Sequence, residues 1–209
     1  MSWRRLDWLT LDHYCMTDRI SVLADQVRVL HQALDEDIQA FQSVTGLHCR
    51  FGCGRCCLKP DIEATPLEFL PLAVELYREG KAETWLKSLA GSGPVCQVFN
   101  ADQTGAGKCT RYADRGMICR LFGYSARRNK YGAKEIITCT IIKDEQAGAY
   151  AEASVKVAEG MSVPLAVDYY SRLRGIDSAL GSVPLPINKA IARALETVLD
   201  FYYYQSQQS

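Results

Sequence analysis

The stretch His48-Cys49-Arg50-Phe51-Gly52-Cys53-Gly54-Arg55-Cys56-Cys57 decides how this chain folds, because it places four thiols within nine residues. The whole chain has nine cysteines in 209 residues. Where thiols stay reduced, cysteines crowded in this way more often bind a metal or act in catalysis than form disulfides. We therefore expect the rest of the chain to be a frame that supports this cluster.

Composition argues against a strong overall attraction to nucleic acid or membranes. Lys plus Arg and Asp plus Glu both number 24, so no net charge favours a polyanionic partner. The N-terminal stretch is interrupted by Asp7, Asp12 and His13, which is not typical of a signal peptide. No window approaches the roughly 18 to 20 apolar residues that a membrane span needs. We expect a cytoplasmic protein that does not cross a membrane, and the sequence indicates no oligomeric state.

Helical periodicity dominates the chain on both sides of the cluster. Apolar residues recur every three or four positions, and N-cap residues, proline and glycine mark the ends of the segments. Thr65 and Pro66 start one such helix, although Pro71 should kink or shorten its first turns. The predicted helices span 17–41, 65–80, 82–89, 149–159, 165–173 and 187–203.

A β-hairpin is predicted between the helices, with strands at 118–127 and 133–142 around a turn-rich segment. It would bring Cys119 on one strand near Cys139 on the other. Residues 95–117 are predicted to be irregular loop. Within them, 103–110 resemble a phosphate-binding P-loop only superficially, because Asp102 stands where that motif needs glycine.

These elements predict a mainly α protein with a small metal-stapled loop and β-hairpin region, an irregular α+β fold. We expect a single domain over 1–209. Its predicted parts are an N-terminal helical segment at 1–46, a cysteine-cluster metal-binding core at 49–142 and C-terminal helices at 147–204.

The spacing of the cysteines points to metal binding. Cys53 and Cys56 are two residues apart, which lets a tight turn aim two thiolates at one ion. Neighbouring side chains usually point apart, so Cys56 and Cys57 should either serve two metal centres or include one cysteine that binds none. The predicted ligands are Cys49, Cys53, Cys56, Cys57, Cys96, Cys109, Cys119 and Cys139. They would fill two four-thiolate sites, or one 4Fe-4S cluster and one zinc site. Cys15 is expected to be an ordinary buried residue.

The cluster resembles a known family. Cys53-Gly54-Arg55-Cys56-Cys57, with Cys49 upstream, is similar to the signature of the CxxCxxCC or YkgJ-type family, described as zinc- or iron-chelating proteins. The segment from Cys109 to Arg120 is similar to that family's second signature, in which Gly116 here stands at a proline. The resemblance covers about residues 49–139. It implies a metal centre and leaves the reaction open, because the family includes uncharacterised proteins and a flagellin lysine methylase.

Two classes of function remain open from the residues. The first is a protein that binds zinc or iron in a structural or chelating centre, and the second is a 4Fe-4S enzyme or accessory factor acting on a protein or anionic substrate. Cys53 and Cys56 also have the spacing of a redox pair. No dinucleotide-binding fingerprint and no nucleophilic triad is present, so the sequence names no catalytic residue. His48 is a further candidate ligand beside Cys49.

Basic residues are concentrated between positions 108 and 134, where eight cations accompany the single acid Asp114. Thiolate metal sites carry negative charge, so we expect Arg55, Arg111, Arg115 and Arg120 to compensate it. The remaining cations on the hairpin predict a surface for an anionic partner, such as RNA, an acidic protein segment or a phosphorylated small molecule. Nucleic acid is not strongly indicated. The residues of this surface are Arg127, Arg128 and Lys130.

Overall fold

Helices form most of the described part of the chain, and the predicted mainly α class with small β-hairpins is confirmed. The computed structural model describes residues 18–50, 52–101 and 107–208. Cys15, the expected absence of a signal peptide and residues 103–106 of the segment compared with a P-loop fall outside these residues. The helices are α1 (Arg19–Thr45), α2 (Leu70–Arg78), α3 (Ala82–Ala90), α4 (Met117–Leu121), α5 (Thr140–Glu145), α6 (Ala147–Ala158), α7 (Ala166–Ile176), α8 (Ser178–Gly181) and α9 (Ile187–Ser206).

Helix α1 leads the chain into the cysteine cluster. Asp18 caps it by accepting a hydrogen bond from the Ser21 backbone N–H at 2.7 Å. One face of the helix is buried, and its apolar side chains are Ile20, Ala24, Val27, Leu30, Leu34, Ile38 and Phe41. Gly46 ends the helix with φ +70°, the left-handed conformation that glycine adopts most easily. The sharp turn sends the chain directly to His48.

The helix after the cluster begins as its sequence predicts. The Glu68 carboxylate accepts hydrogen bonds from the backbone N–H and the hydroxyl of Thr65, at 2.8 and 3.1 Å. A 3-10 helix runs over Pro66–Phe69, and α2 follows from Leu70. Pro71 lies in the first turn of α2, where backbone N–H groups have no partner within the helix. Its lack of an N–H therefore costs no helical hydrogen bond. The α-helix thus begins at Leu70 rather than at the predicted Thr65.

Three short antiparallel strand pairs occur in the described residues, and two of the predictions for this region are wrong. Residues 95–117 include a hairpin of β2 (Phe99–Ala101) and β3 (Gly107–Cys109) rather than loop alone. The predicted hairpin is shorter than expected, with β4 (Ser125–Arg128) pairing β5 (Lys134–Ile137). Its predicted ends are helical, because side chains cap the starts of α4 and α5, and Cys119 therefore lies on α4. The third pair joins β1 (Glu63–Ala64) to β6 (Leu185–Pro186).

Two clusters of buried apolar side chains organise the described residues. The larger, here the main core, joins α1, α2, α7 and α9, and Cys96, Cys109 and Cys119 belong to it or pack against it. The smaller, here the second core, joins the end of α1 to α6 and the β4–β5 hairpin, and Cys139 packs against it. Four of the eight predicted ligands thus belong to or pack against one of the two cores. None of the helices within the described residues is long and apolar enough to cross a bilayer.

Candidate metal centre

All eight predicted ligands lie in the described residues, and each is a free thiol. Cys49 and Cys53 precede a 3-10 helix at Arg55–Leu58, which carries Cys56 and Cys57. The other four come from separate segments: Cys96 before β2, Cys109 at the end of β3, Cys119 on α4 and Cys139 at the start of α5. The fold brings these segments together in two groups.

Cys56 and Cys57 point toward each other, contrary to the prediction that adjacent side chains diverge. Their sulfur atoms are 3.9 Å apart. A tetrahedral zinc site with Zn–S bonds of about 2.3 Å has sulfur atoms about 3.8 Å apart. The tight turn of the 3-10 helix after Gly54 gives this geometry. Both thiols therefore fit the shell of one ion.

The hydrogen bond between these two thiols shifts their acidity in opposite directions. Donation from the Cys57 thiol lowers the pKa of Cys56 to about 6, despite partial burial. The same bond, followed by burial, raises the pKa of Cys57. The hydrogen bond thus favours one thiolate in the pair, and a thiolate is the form that binds metals.

Five cysteines form one group, here the inner thiols: Cys56, Cys57, Cys96, Cys109 and Cys119. Burial first, and then the charges of Cys96, Glu68, Cys109 and Cys56, raise the pKa of Cys119. The charges of Cys56, Cys119 and Cys96 likewise raise that of Cys57. Thiols that oppose one another's ionisation so strongly favour binding of a cation, which removes the repulsion.

Backbone amides point at two of the inner sulfurs. Burial raises the pKa of Cys96, but the N–H groups of Val98 and Phe99 are hydrogen-bonded to its sulfur and act in the opposite sense. Burial also raises the pKa of Cys109, and a hydrogen bond from the backbone N–H of Arg111 to its sulfur acts in the opposite sense. A hydrogen bond to the charged form stabilises that form. The segments that carry Cys96 and Cys109 therefore have a backbone conformation that stabilises thiolates.

Gly54 lets the cluster approach the β2–β3 hairpin. Its φ is +54°, and a side chain there would collide with the Gly107 carbonyl group and the Phe99 ring. Glycine is therefore required both by the backbone conformation and by the close contact. The contact seats the 3-10 helix, with Cys56, against the strand that carries Cys109.

The remaining three cysteines form a second group, here the outer thiols: Cys49, Cys53 and Cys139. Burial and the charges of Cys53, Cys139 and Cys56 raise the pKa of Cys49 to about 11. Cys49 and Cys53 also share a side-chain hydrogen bond. Cys139 caps α5, since its sulfur accepts a hydrogen bond from the Ile142 N–H at 3.4 Å. The predicted strand positions of Cys119 and Cys139 are wrong, since Cys119 lies on α4 and Cys139 caps α5.

Contacts to the end of α5 hold the outer thiols. The Gln146 side chain binds the His48 backbone twice, accepting from its N–H at 3.0 Å and donating to its carbonyl at 2.7 Å. Arg50 forms an ion pair with Glu145. The His48 ring is exposed and contacts the Gly46 carbonyl oxygen through Nδ1 at 2.9 Å.

Glu68 also holds the start of α4, the helix that carries the inner thiol Cys119. Its sequence position as a capping residue does not reveal this second role. It is completely buried, and burial raises its pKa. Its second carboxylate oxygen accepts from the Ile118 N–H at 2.7 Å, and Tyr170 is also hydrogen-bonded to it. The Glu68 side chain thus caps both the helix after the cluster and α4, which carries Cys119.

Three of the four arginines that were expected to compensate the thiolates form ion pairs with carboxylates. Arg111 forms a two-pronged ion pair with Glu79, at 2.5 and 2.6 Å. Arg115 and the buried Arg120 both bind Asp35 of α1. Arg115 and Arg120 also act on thiols, since the charge of Arg115 favours ionised Cys109 and ionised Cys119 favours the charged form of Arg120. These pairs fix the second cysteine segment to α1 and α2.

The donor set fits a thiophilic metal ion. Soft thiolate ligands select zinc and iron–sulfur clusters over hard cations. The described residues include eight free thiols, and backbone N–H groups are hydrogen-bonded to the sulfurs of Cys96, Cys109 and Cys139. Across residues 18–50, 52–101 and 107–208, no three Cys, His, Asp or Glu side chains are already arranged to hold one metal ion.

Comparison with known proteins supports the same chemistry. Residues 48–147 match the CxxCxxCC family. The description of that family reads "Putative zinc- or iron-chelating domain". The matched region contains all eight predicted ligands, and the resemblance stated from the motifs is confirmed. No curated protein and no solved structure matches the chain.

Proposed function

We propose that this protein chelates zinc or iron through a thiolate centre built by its clustered cysteines. The observation that carries the proposal is the gathering of inner thiols from four separate segments, with two sulfurs 3.9 Å apart. Amides that point at Cys96 and Cys109 support it. The proposed ligands are Cys49, Cys53, Cys56, Cys57, Cys96, Cys109, Cys119 and Cys139.

A bound metal would supply positive charge that stabilises several thiolates at once. Zinc would staple the β2–β3 hairpin, α4 and the 3-10 helix together, because binding free energy at such a site is also folding free energy. A 4Fe-4S cluster on the inner thiols is the alternative, and it would add electron transfer. Free thiols are maintained by reducing conditions, so the proposal places the protein in the cytoplasm.

Metal analysis tests the proposal. Protein purified without oxygen should contain zinc or iron, and a brown colour with acid-labile sulfide would identify an iron–sulfur cluster. The double variant Cys56→Ser/Cys57→Ser should lose bound metal. The variant Cys15→Ser, which changes the ninth cysteine, should retain it and is the matched control. Neither zinc nor iron above trace in the wild-type protein would overturn the proposal.

We also propose that the tip of the β4–β5 hairpin binds single-stranded RNA. Asn129 makes the tip rigid, since its side-chain oxygen accepts from the N–H groups of Tyr131 and Ala133 at 2.9 and 3.1 Å. The Tyr131 ring is 80% exposed, with the Lys130 ammonium 4.9 Å from its centroid. An exposed aromatic ring beside cations supplies stacking and phosphate contacts together.

Fluorescence anisotropy with a labelled oligoribonucleotide tests the RNA proposal. Replacement of Arg127, Arg128 and Lys130 by glutamine should weaken binding and reduce its dependence on salt. A control variant with the exposed Lys87, Arg174 and Lys189 replaced by glutamine removes the same charge elsewhere and should bind as the wild type does. Equal affinity of the two variants, or binding of acidic peptides but not RNA, would overturn it.

A further inference from the structure

Cys56 and Cys57 lie close enough to react with each other. The sequence indicates Cys53 and Cys56 as a redox pair from their spacing alone. The observed contact joins the adjacent cysteines instead, with the two sulfur atoms 3.9 Å apart. A disulfide bond is about 2.0 Å long, so a movement of about 2 Å would turn this contact into a bond.

A small oxidant in solution can reach this pair. Both cysteines are partly exposed, whereas Cys96 is buried. The 3-10 helix that carries the pair, Arg55–Leu58, contains no buried residue. Lys59 and Pro60, which follow it, are exposed. The end of this turn can therefore change shape without displacing a residue of either core.

A disulfide between adjacent residues is strained. Consecutive Cα atoms lie about 3.8 Å apart, below the roughly 4.4 to 6.8 Å that disulfides usually span. Strained or exposed disulfides are reduced more easily than those that stabilise secreted proteins. A bond between Cys56 and Cys57 is therefore one that a cellular thiol can open again.

We propose that Cys56 and Cys57 are a reversible oxidation site, at which a peroxide converts two thiols into a disulfide. One of the two sulfurs, as the thiolate, attacks a peroxide oxygen, which forms a sulfenic acid and releases hydroxide. The second thiol then displaces water from the sulfenic acid and forms the S–S bond. Two thiols and one hydrogen peroxide give one disulfide and two waters, so the sulfurs lose the two electrons that the peroxide gains. Two molecules of glutathione reverse the oxidation and leave as glutathione disulfide.

The same oxidation releases a metal ion from the inner thiols, and this part of the inference rests on the proposed thiolate centre. A sulfur in a disulfide is no longer a thiolate, so the ion loses two ligands at once. The bond also distorts the turn, in which the Cys57 N–H donates to the Gly54 carbonyl at 2.9 Å. Gly54 lies against the Gly107 carbonyl group, so the distortion reaches the strand that carries Cys109.

Peptide mapping of the full chain, treated as purified with one equivalent of hydrogen peroxide, tests the oxidation site. Trypsin cleaves after Arg55 and Arg78, and the peptide 56–78 contains no other cysteine. Without reductant, this peptide should be lighter by two hydrogen atoms and should take up no alkylating agent. Dithiothreitol should restore both alkylation sites. Two alkylated thiols after peroxide treatment would overturn the proposal. A bond from Cys53 to Cys56 would also overturn it, because it would join the peptide 51–55 to 56–78.

A variant and the bound metal provide a second readout. Cys57→Ser should form no disulfide, and its Cys56 should react with dimedone, which labels sulfenic acids. Cys15→Ser is the matched control and should behave as the wild type does. A chromophoric chelator should detect metal released in step with the disulfide, and a disulfide that leaves the metal bound would overturn the link to metal release. Protein purified without any metal would overturn the proposed function, while the peptide mapping still decides the oxidation site.

Discussion

The inner and outer thiols are built from the same amino acid but in different surroundings. The inner group lies against the main core, and backbone N–H groups are hydrogen-bonded to two of its sulfurs. Its thiols come from four segments that contacts with distant side chains hold in place. The outer group lies beside the second core and depends on contacts with the short helix α5. Burial, rather than cysteine spacing, distinguishes the two groups: Cys96 of the inner group is buried, whereas Cys49 of the outer group is exposed.

The largest difference is expected between ligand substitutions in the two groups. Cys96→Ser should lower the free energy of unfolding of the metal-loaded protein by about 4 kcal/mol or more, because loss of a metal site is among the few single changes with so large an effect. Cys139→Ser should cost about 1 kcal/mol or less, since serine is itself a good helix cap. Denaturant unfolding measures both values, and equal losses would remove the distinction.

A pair of glycines gives the next test. Gly54 and Gly52 both have positive φ, but a side chain would collide with neighbouring groups only at Gly54. Gly54→Ala should therefore cost about 3 kcal/mol and reduce metal retention, combining backbone strain with a displaced hairpin. Gly52→Ala should cost about 1 kcal/mol from the left-handed conformation alone. Thermal unfolding and metal analysis of the two variants measure these effects. Similar melting temperatures would show that the contact with Gly107 does not matter.

The smallest expected effect is on the pH dependence of the free energy of unfolding, and it is tested by comparing two histidines. His31 of α1 is buried, and burial followed by the charges of Arg120 and Arg115 lowers its pKa from 6.5 to about 3. Between pH 6.5 and about pH 3, His31 binds a proton in the unfolded chain but not in the folded protein. The free energy of unfolding therefore falls as the pH decreases. The loss between pH 7 and pH 5 should be about 2 kcal/mol. His31→Leu should remove this part of the pH dependence when unfolding is followed by denaturant titration.

His48 is the matched residue beside the outer thiols, because its ring is exposed. His48→Gln should keep the pH dependence of the wild-type protein between pH 7 and pH 5. Thiolate ligands also take up protons in acid, so all three proteins are compared at the same metal load. An unchanged pH profile in His31→Leu would contradict the role of its burial.

Much of the fold could be predicted because it depends on local patterns. The apolar stripe of α1, the capping box at Thr65 and Glu68, and the C-terminal helices all follow from periodicity and end signals. The hairpin was overestimated because weak alternation continues into α4 and α5. Those short helices form where the distant Glu68 accepts from Ile118 and where Cys139 caps its own segment, and the first of these contacts is not visible in a local window.

The sequence by itself determined which residues could serve as metal ligands and which family the cysteine region resembles. The clustered cysteines, their spacing and the second motif at Cys109 to Arg120 lie within short stretches of chain, and residues 48–147 match the CxxCxxCC family. Only the tertiary structure decided which thiols meet. Cys119 joins Cys96 and Cys109 while Cys139 joins Cys49, since the segments carrying them pack on different cores, and packing between distant segments depends on the whole chain rather than on any motif within it.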